Sequence, residues 1–269
     1  MMARTVRPVR SLLAVTSLLF CAGSLLGCEN SRRPQPPAAA KPPVASAEKD
    51  PIDLPSAPEG PSVTEALARY REPETARGDY IIGLAYYRER DYAQAISFFE
   101  KSLRRTRKHP GVHFYLGFSH LARNEAEKAR AAFEELTGFD LPPEEKAKVF
   151  AEIGAIHRDA QRDTEALAAY EKANRLDPAQ FAAQFAAGIL LAKRGQYSTA
   201  IDRFTTAARN AESAQERAQP TGALGEVWEK RSDGKADRRK ALAFYEQALK
   251  MNPADGVAAA GKRRLSAER

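Results

Sequence analysis

Cysteine is almost absent from this chain. Only Cys21 and Cys28 occur among its 269 residues, which excludes a disulfide framework and any zinc site built on paired cysteines. Histidine is sparse too, at four residues. His109 and His113 stand four apart, a ligand spacing on a helix, but Pro110 and Gly111 lie between them and argue against a shared helical face. No glycine-rich phosphate loop and no nucleophile elbow occurs. The expectation is a protein without cofactor or metal, and not an enzyme. A large charge of one sign is also missing. The formal +7 includes Arg4, Arg7 and Arg10; the rest is modest and interspersed with acids such as Glu125, Glu127, Glu144 and Glu145. Finally, the uncharged stretch over residues 11–27 is short for a spanning helix, which needs about 20 apolar residues.

That stretch, with its basic leader, reads as a secretory signal covering residues 1–27. It ends in Leu25-Leu26-Gly27-Cys28, which resembles the lipobox of bacterial lipoproteins. The resemblance implies cleavage before Cys28 and acylation of its thiol, so Cys28 is the expected lipidation site. Cys21 falls in the removed part, leaving a mature chain with no free thiol. In the lipoprotein family an Asp after the lipidated cysteine favours inner-membrane retention. Here that residue is Glu29, so an outer-membrane anchor facing the periplasm is expected, and nucleic acid is not an expected partner. Residues 28–61 are rich in Pro, Ala, Ser and Lys and too poor in large apolar residues to build a core. They are expected to be a disordered tether, reaching up to about 3 Å per residue where extended.

Beyond the tether the chain repeats. Gly83, Gly117, Gly154, Gly188 and Gly225 form one series, and Ala95, Ala129, Ala166, Ala200 and Ala241 a second. Phe99, Phe133, Tyr170, Phe204 and Tyr245 form a third, and steps of 34 residues recur in all three. Two antiparallel helices of about 12–15 residues with short turns consume that length. Small residues let the two backbones approach, and the aromatic fills the space between one hairpin and the next.

The pattern resembles the tetratricopeptide (TPR) family, whose motif pairs Leu-Gly and Tyr in a first helix with Ala, Phe or Tyr, Ala and Pro in a second. Leu116, Gly117, Ala129 and Phe133 match it, as do Leu224, Gly225, Trp228, Ala241, Tyr245, Ala248 and Pro253. The expected fold is all-α, a TPR solenoid of about five hairpins over residues 76–109, 110–143, 147–180, 181–214 and 218–253. Three extra residues fall in the loop over 137–143 and four more around 232–235. Pro220 is expected near the start of its helix. A cap helix or a degenerate first hairpin is expected within 62–75, limited by Pro73, with Ser62 or Thr64 as N-cap. Another is expected over 254–269, with Lys262, Arg263, Arg264 and Arg269 facing water. His120 and His157 take the repeat's tyrosine position, each expected to fill space with a ring nitrogen satisfied locally.

TPR proteins bind peptides or helices in a concave groove lined by the first helices. The resemblance puts Tyr80, Leu84, Tyr87 and Arg88 there from the first repeat, and Phe114, Phe118 and Leu121 from the second. Ala151, Ala155 and Arg158 follow, then Phe185, Ile189 and Lys193, then Glu226, Glu229 and Lys230. The asparagines of the carboxylate-clamping TPR grooves are missing. An apolar or amphipathic segment of another envelope protein is the expected occupant. The resemblance therefore implies a scaffold for assembling an envelope machine, with type IV pilus pilotins or motility-machine assembly factors as analogues. The alternatives are a subunit of an envelope-assembly or cell-wall synthesis complex and a peptidoglycan-binding module.

Overall fold

The computed structural model describes residues 55–72, 74–106, 108–231 and 236–267. The signal, Cys28, most of the tether, the insertion at 232–235 and Arg269 lie outside the described residues, which form twelve helices and no strand. The helices are α1 (Val63–Tyr70), α2 (Ala76–Arg88), α3 (Tyr92–Arg105), α4 (Pro110–Ala122), α5 (Ala126–Thr137) and α6 (Pro143–Asp159). They continue with α7 (Asp163–Leu176), α8 (Phe181–Lys193), α9 (Tyr197–Asn210), α10 (Ala214–Lys230), α11 (Arg238–Met251) and α12 (Gly256–Ala267). None of them is long and apolar enough to cross a membrane.

Many of the starts and stops have a local cause. Ser62, Thr75, Asp91, Ser213 and Asp237 cap the helices they precede by accepting a backbone N–H three residues on. His109 does the same for α4 through its ring Nδ1, with Pro110 as the first helical residue. The turns from α2 to α3, α4 to α5, α6 to α7 and α8 to α9 each pass through one left-handed residue: Arg90, Asn124, Gln161 or Gly195. There the next residue's N–H reaches back five positions, as from Asp91 to Tyr86 (3.0 Å) and from Gln196 to Leu191 (2.9 Å). This closes the first helix with a Schellman motif.

The three series meet inside each hairpin. A Cβ added at Gly83, Gly117, Gly188 or Gly225 would stand 2.6 Å from the ring of Phe99, Phe133, Phe204 or Tyr245, and at Gly154 2.7 Å from Tyr170. The glycine is thus a seat for its own repeat's aromatic, more than a gap for the facing alanine. The other side of the ring meets the following first helix. Tyr170 packs with Ala183, Ala187 and Leu190 of α8.

Two departures from expectation concern length. The three extra residues before the third repeat do not stay in the loop, because α6 is 17 residues long where α2, α4 and α8 have 13, and α10, also 17 residues, starts at Ala214 rather than near Ala218. Pro143 opens α6 with Glu144 and Glu145 in the first turn, where a helix N-terminus favours acids. Consequently Pro220 lies inside α10 rather than near its start. The Ser213 cap and Glu216, whose carboxylate accepts the Glu212 N–H at 2.7 Å, carry the helix back beyond it.

Both ends are half-repeats. Ala66 of α1 is fully buried against Ile82 and Ala85 of α2, so α1 stands where a preceding second helix would. At the other end α12 touches α10 and α11, in the place of a further first helix. Tyr245 is held between Gly225 and Gly261. The basic residues of α12 are not simply solvated: Arg264 makes two hydrogen bonds to Glu229, at 2.6 and 2.8 Å, and Lys262 pairs with Glu246.

Candidate partner groove

Consecutive first helices approach one another at α2/α4, α6/α8, α8/α10 and α10/α12, whereas no two second helices do. The stack therefore bends with its first helices on the inside, where their outward side chains share a common side. The α4/α6 step is the exception: these two first helices do not approach each other.

The expected groove residues divide by burial. Leu84, Tyr87, Ala151, Phe118 and Phe185 are buried in the free chain. Phe118 stacks edge-on against Phe133 at 5.1 Å and Phe185 lies 5.7 Å from Phe204, so both belong to the hairpin interior. Tyr80, Arg88, Phe114, Leu121, Ala155, Arg158, Ile189, Glu226 and Glu229 are half-buried, while Lys193 and Lys230 are exposed.

The N-terminal part of this face is an aromatic cluster. Tyr80 lies 4.4 Å from the His109 ring and 6.2 Å from Phe99. Tyr115 joins Tyr87 and Phe114, each at 5.1 Å, and stacks on Phe99 at 6.3 Å. Tyr115 was not among the expected residues, although it sits only two positions before Gly117. Burial, with smaller contributions from Tyr80 and Arg88 acting in opposite directions, pushes its phenol up to about 12.

The equivalent position in the third repeat is Glu152, also absent from the expected set. Burial pushes its carboxyl up to about 7, against the pull of Arg158. A carboxyl raised in the folded state favours folding at low pH and progressively less as pH rises from about 4.5 through 7. Glu152→Gln is expected to leave stability unchanged at pH 4. At pH 8 the variant should exceed the wild type by on the order of 1–2 kcal/mol, as read by urea denaturation at both values.

Most groove charges are already matched. Arg158 pairs with Asp159 at 2.8 Å, Lys193 with Asp163 at 2.5 Å and Lys230 with Glu226 at 3.3 Å. Glu229 accepts from Arg264 and from the Tyr245 hydroxyl, the latter at 2.7 Å. His120 is buried with Nδ1 2.8 Å from Glu125, which also accepts from Arg123 and Lys128. His157 breaks the expectation of a satisfied ring, for its buried Nδ1 has no hydrogen-bond partner among the described residues. Five residues on, where His120 finds Glu125, the third repeat has the cation Arg162. Burial first, then Arg162 and Arg130, hold His157 below the ordinary histidine range.

Two tetratricopeptide-repeat family models match, one over residues 86–144 and another over 147–180. The chain carries tetratricopeptide repeats. Among solved structures it is similar to YrrB, described as a TPR protein with an unusual peptide-binding site. The likeness has 18% identity and a TM-score of 0.61, and covers 76% of this chain and 98% of that one. It is also similar to pilF of Pseudomonas aeruginosa (20% identity, TM-score 0.58, 77% and 87% covered) and to MamA (17%, 0.56, 64% and 95%). At these identities the shared property is the fold. No curated protein matches the chain by sequence. Tetratricopeptide repeats are generally non-enzymatic scaffolds for protein–protein interaction, and the groove of first helices is the surface by which they take protein partners.

Proposed function

We propose that this TPR protein is a lipid-anchored scaffold of the bacterial envelope that holds partner proteins during assembly of an envelope machine, in the manner of a pilotin. The observation that carries the scaffold is the single face of first helices, with Tyr80, Phe114, Leu121 and Ile189 half-buried along it. Leu25-Leu26-Gly27-Cys28 supports the anchor, with acylation at Cys28 and the chain facing the periplasm from the outer membrane. A few well-packed anchors that lose their remaining exposure on contact, aromatic ones above all, supply most of the affinity of such surfaces.

The test is capture from detergent-solubilised envelopes with the tagged protein, followed by mass spectrometry of bait and prey. A diacylglyceryl mass on Cys28 together with subunits of one machine is the expected result. A bait retaining residues 1–27 without lipid overturns the anchor. Retention on isolated peptidoglycan with no protein prey overturns the scaffold in favour of cell-wall binding. The combined variant Tyr80→Ser, Leu121→Ser, Ile189→Ser is expected to reduce capture at least about tenfold while circular dichroism keeps the wild-type helix signal. Undiminished capture would move the partner off this face. Phe118 is unsuited to that test, since its ring belongs to the interior.

A further inference from the structure

Arg88, at the C-terminal end of α2, is the groove cation without an ion pair among the described residues. Its partners are main-chain carbonyls from the segment just before α1. Nη1 donates to Pro58 O at 3.0 Å and Nη2 to Pro61 O. A bend at Glu59 turns the segment so that both carbonyls meet one guanidinium. Gly60 lets the backbone lie close, because a Cβ there would stand 3.2 Å from Nη1. The downstream end is fixed by the capping box of Ser62 and Glu65 and by the Val63 N–H, which donates to Glu89 Oε1 at 3.4 Å.

Building on the groove reading above, we infer that Arg88 is the anchoring point for a carboxylate-bearing segment of a protein partner, and that residues 58–61 are a strap holding its place in the free protein. The two η nitrogens form a planar fork that fits both oxygens of one carboxylate. Neutral carbonyls now fill that fork and leave the guanidinium charge uncompensated, whereas a carboxylate adds ion pairing to the same two hydrogen bonds. A carboxylate therefore displaces the strap, where another neutral chain would gain nothing over it. The aromatic cluster of Tyr87, Tyr115 and Phe114 lies on the same face, and Tyr87 is the chain neighbour of Arg88 on α2. The fitting partner thus carries an acid next to an apolar side chain. The other groove cations that approach the same face already have acids of this chain as partners.

The test pans a random-peptide display library on the full chain and on Arg88→Gln. Wild type is expected to enrich peptides with Asp or Glu beside an apolar residue, and Arg88→Gln to lose that acid preference. For the best peptide, changing its acid to the amide should weaken binding to wild type about tenfold and leave binding to Arg88→Gln unchanged. Arg88→Lys, which keeps the charge without the fork, should fall between. Gly60→Val, which crowds the strap against Nη1, should tighten binding several-fold. Enrichment indifferent to acid overturns the anchoring role and leaves the groove standing. Gly60→Val binding no tighter than wild type overturns the strap. A library that enriches nothing overturns the groove and this inference together.

Discussion

Phe133→Ala is expected to lower the unfolding free energy by about 3–5 kcal/mol, the range for removing a buried aromatic. Phe133 has no exposed surface. One side of its ring lies on Gly117 and Phe118 packs against it in a T-shaped pair, so truncation leaves a void that two helices must share. The complementary change is Gly117→Ala. A Cβ there would meet Phe133 Cε1 at 2.6 Å, Cζ at 2.7 Å and Cδ1 at 2.9 Å. The gain in helix propensity, about 1 kcal/mol, is outweighed by overpacking of about 1–3 kcal/mol or more, since the ring has nowhere to move. Gly117→Ala with Phe133→Leu should lose less than the two single changes summed, because the smaller side chain vacates the space that the methyl enters. Gly256→Ala is the control, with nothing within 4 Å of the added carbon. Urea denaturation followed by circular dichroism reads these variants, the single Phe133→Leu included. Strict additivity, or a Gly117→Ala protein as stable as wild type, would show that ring and glycine are not a matched pair. In a stack whose repeats touch only their neighbours, a lesion in the second hairpin should also broaden the transition.

Much of this was legible in the sequence, because a solenoid writes its packing as a period. The glycine, alanine and aromatic series place five hairpins, and Ser62 marks the first cap. What a period cannot carry is direction across an interface. It gives the same spacing whether an aromatic seats on its own glycine or points outward, so Phe118 and Phe185 looked like groove residues until Phe133 and Phe204 were seen beside them. Tyr115 and Glu152 escaped for the converse reason, since one step along a helix turns a residue by 100° and the inner curvature brings that extra row into the groove. Three extra residues are equally ambiguous in a sequence: Pro143 and Ser213 make them helix, because each supplies a start signal one turn upstream. His157 depends on the identity of Arg162 across a turn. The strap on Arg88 had no signal, as Pro58, Gly60 and Pro61 read simply as the end of a proline-rich tether.

Gly261→Leu is the change expected to uncap the stack. The Gly261 backbone lies so close to Tyr245 that a Cβ would come within 2.2–2.6 Å of three ring carbons. Tyr245 is itself pinned by Gly225 behind and by its hydrogen bond to Glu229, so α12 must lift. Lifting it exposes Ala258 and Leu265 together with the face of α11 that they cover. The cost is about 2–4 kcal/mol, confined to one end. Hydrogen exchange should therefore show α12 losing protection while α2 to α9 keep theirs, and light scattering should rise with concentration as the open end associates. Arg264→Gln probes the same contact more gently, about 0.5–1 kcal/mol, because the pair is partly solvated. It also carries a pH signature. Arg264 first, and the Tyr245 hydroxyl less strongly, hold the Glu229 carboxyl below its ordinary range. A depressed carboxylate contributes its stability above about pH 4.5 and loses it as pH falls toward the folded-state value, so the wild-type cap should loosen in acid and the Arg264→Gln cap should keep only the weaker dependence that the Tyr245 hydroxyl imposes. Because Glu229 belongs to the groove face, lifting α12 also leaves a carboxylate unmatched there, at the opposite end from Arg88. Unchanged exchange of α12 in Gly261→Leu would mean that the last helix docks without Tyr245, and that the fifth hairpin closes the stack unaided.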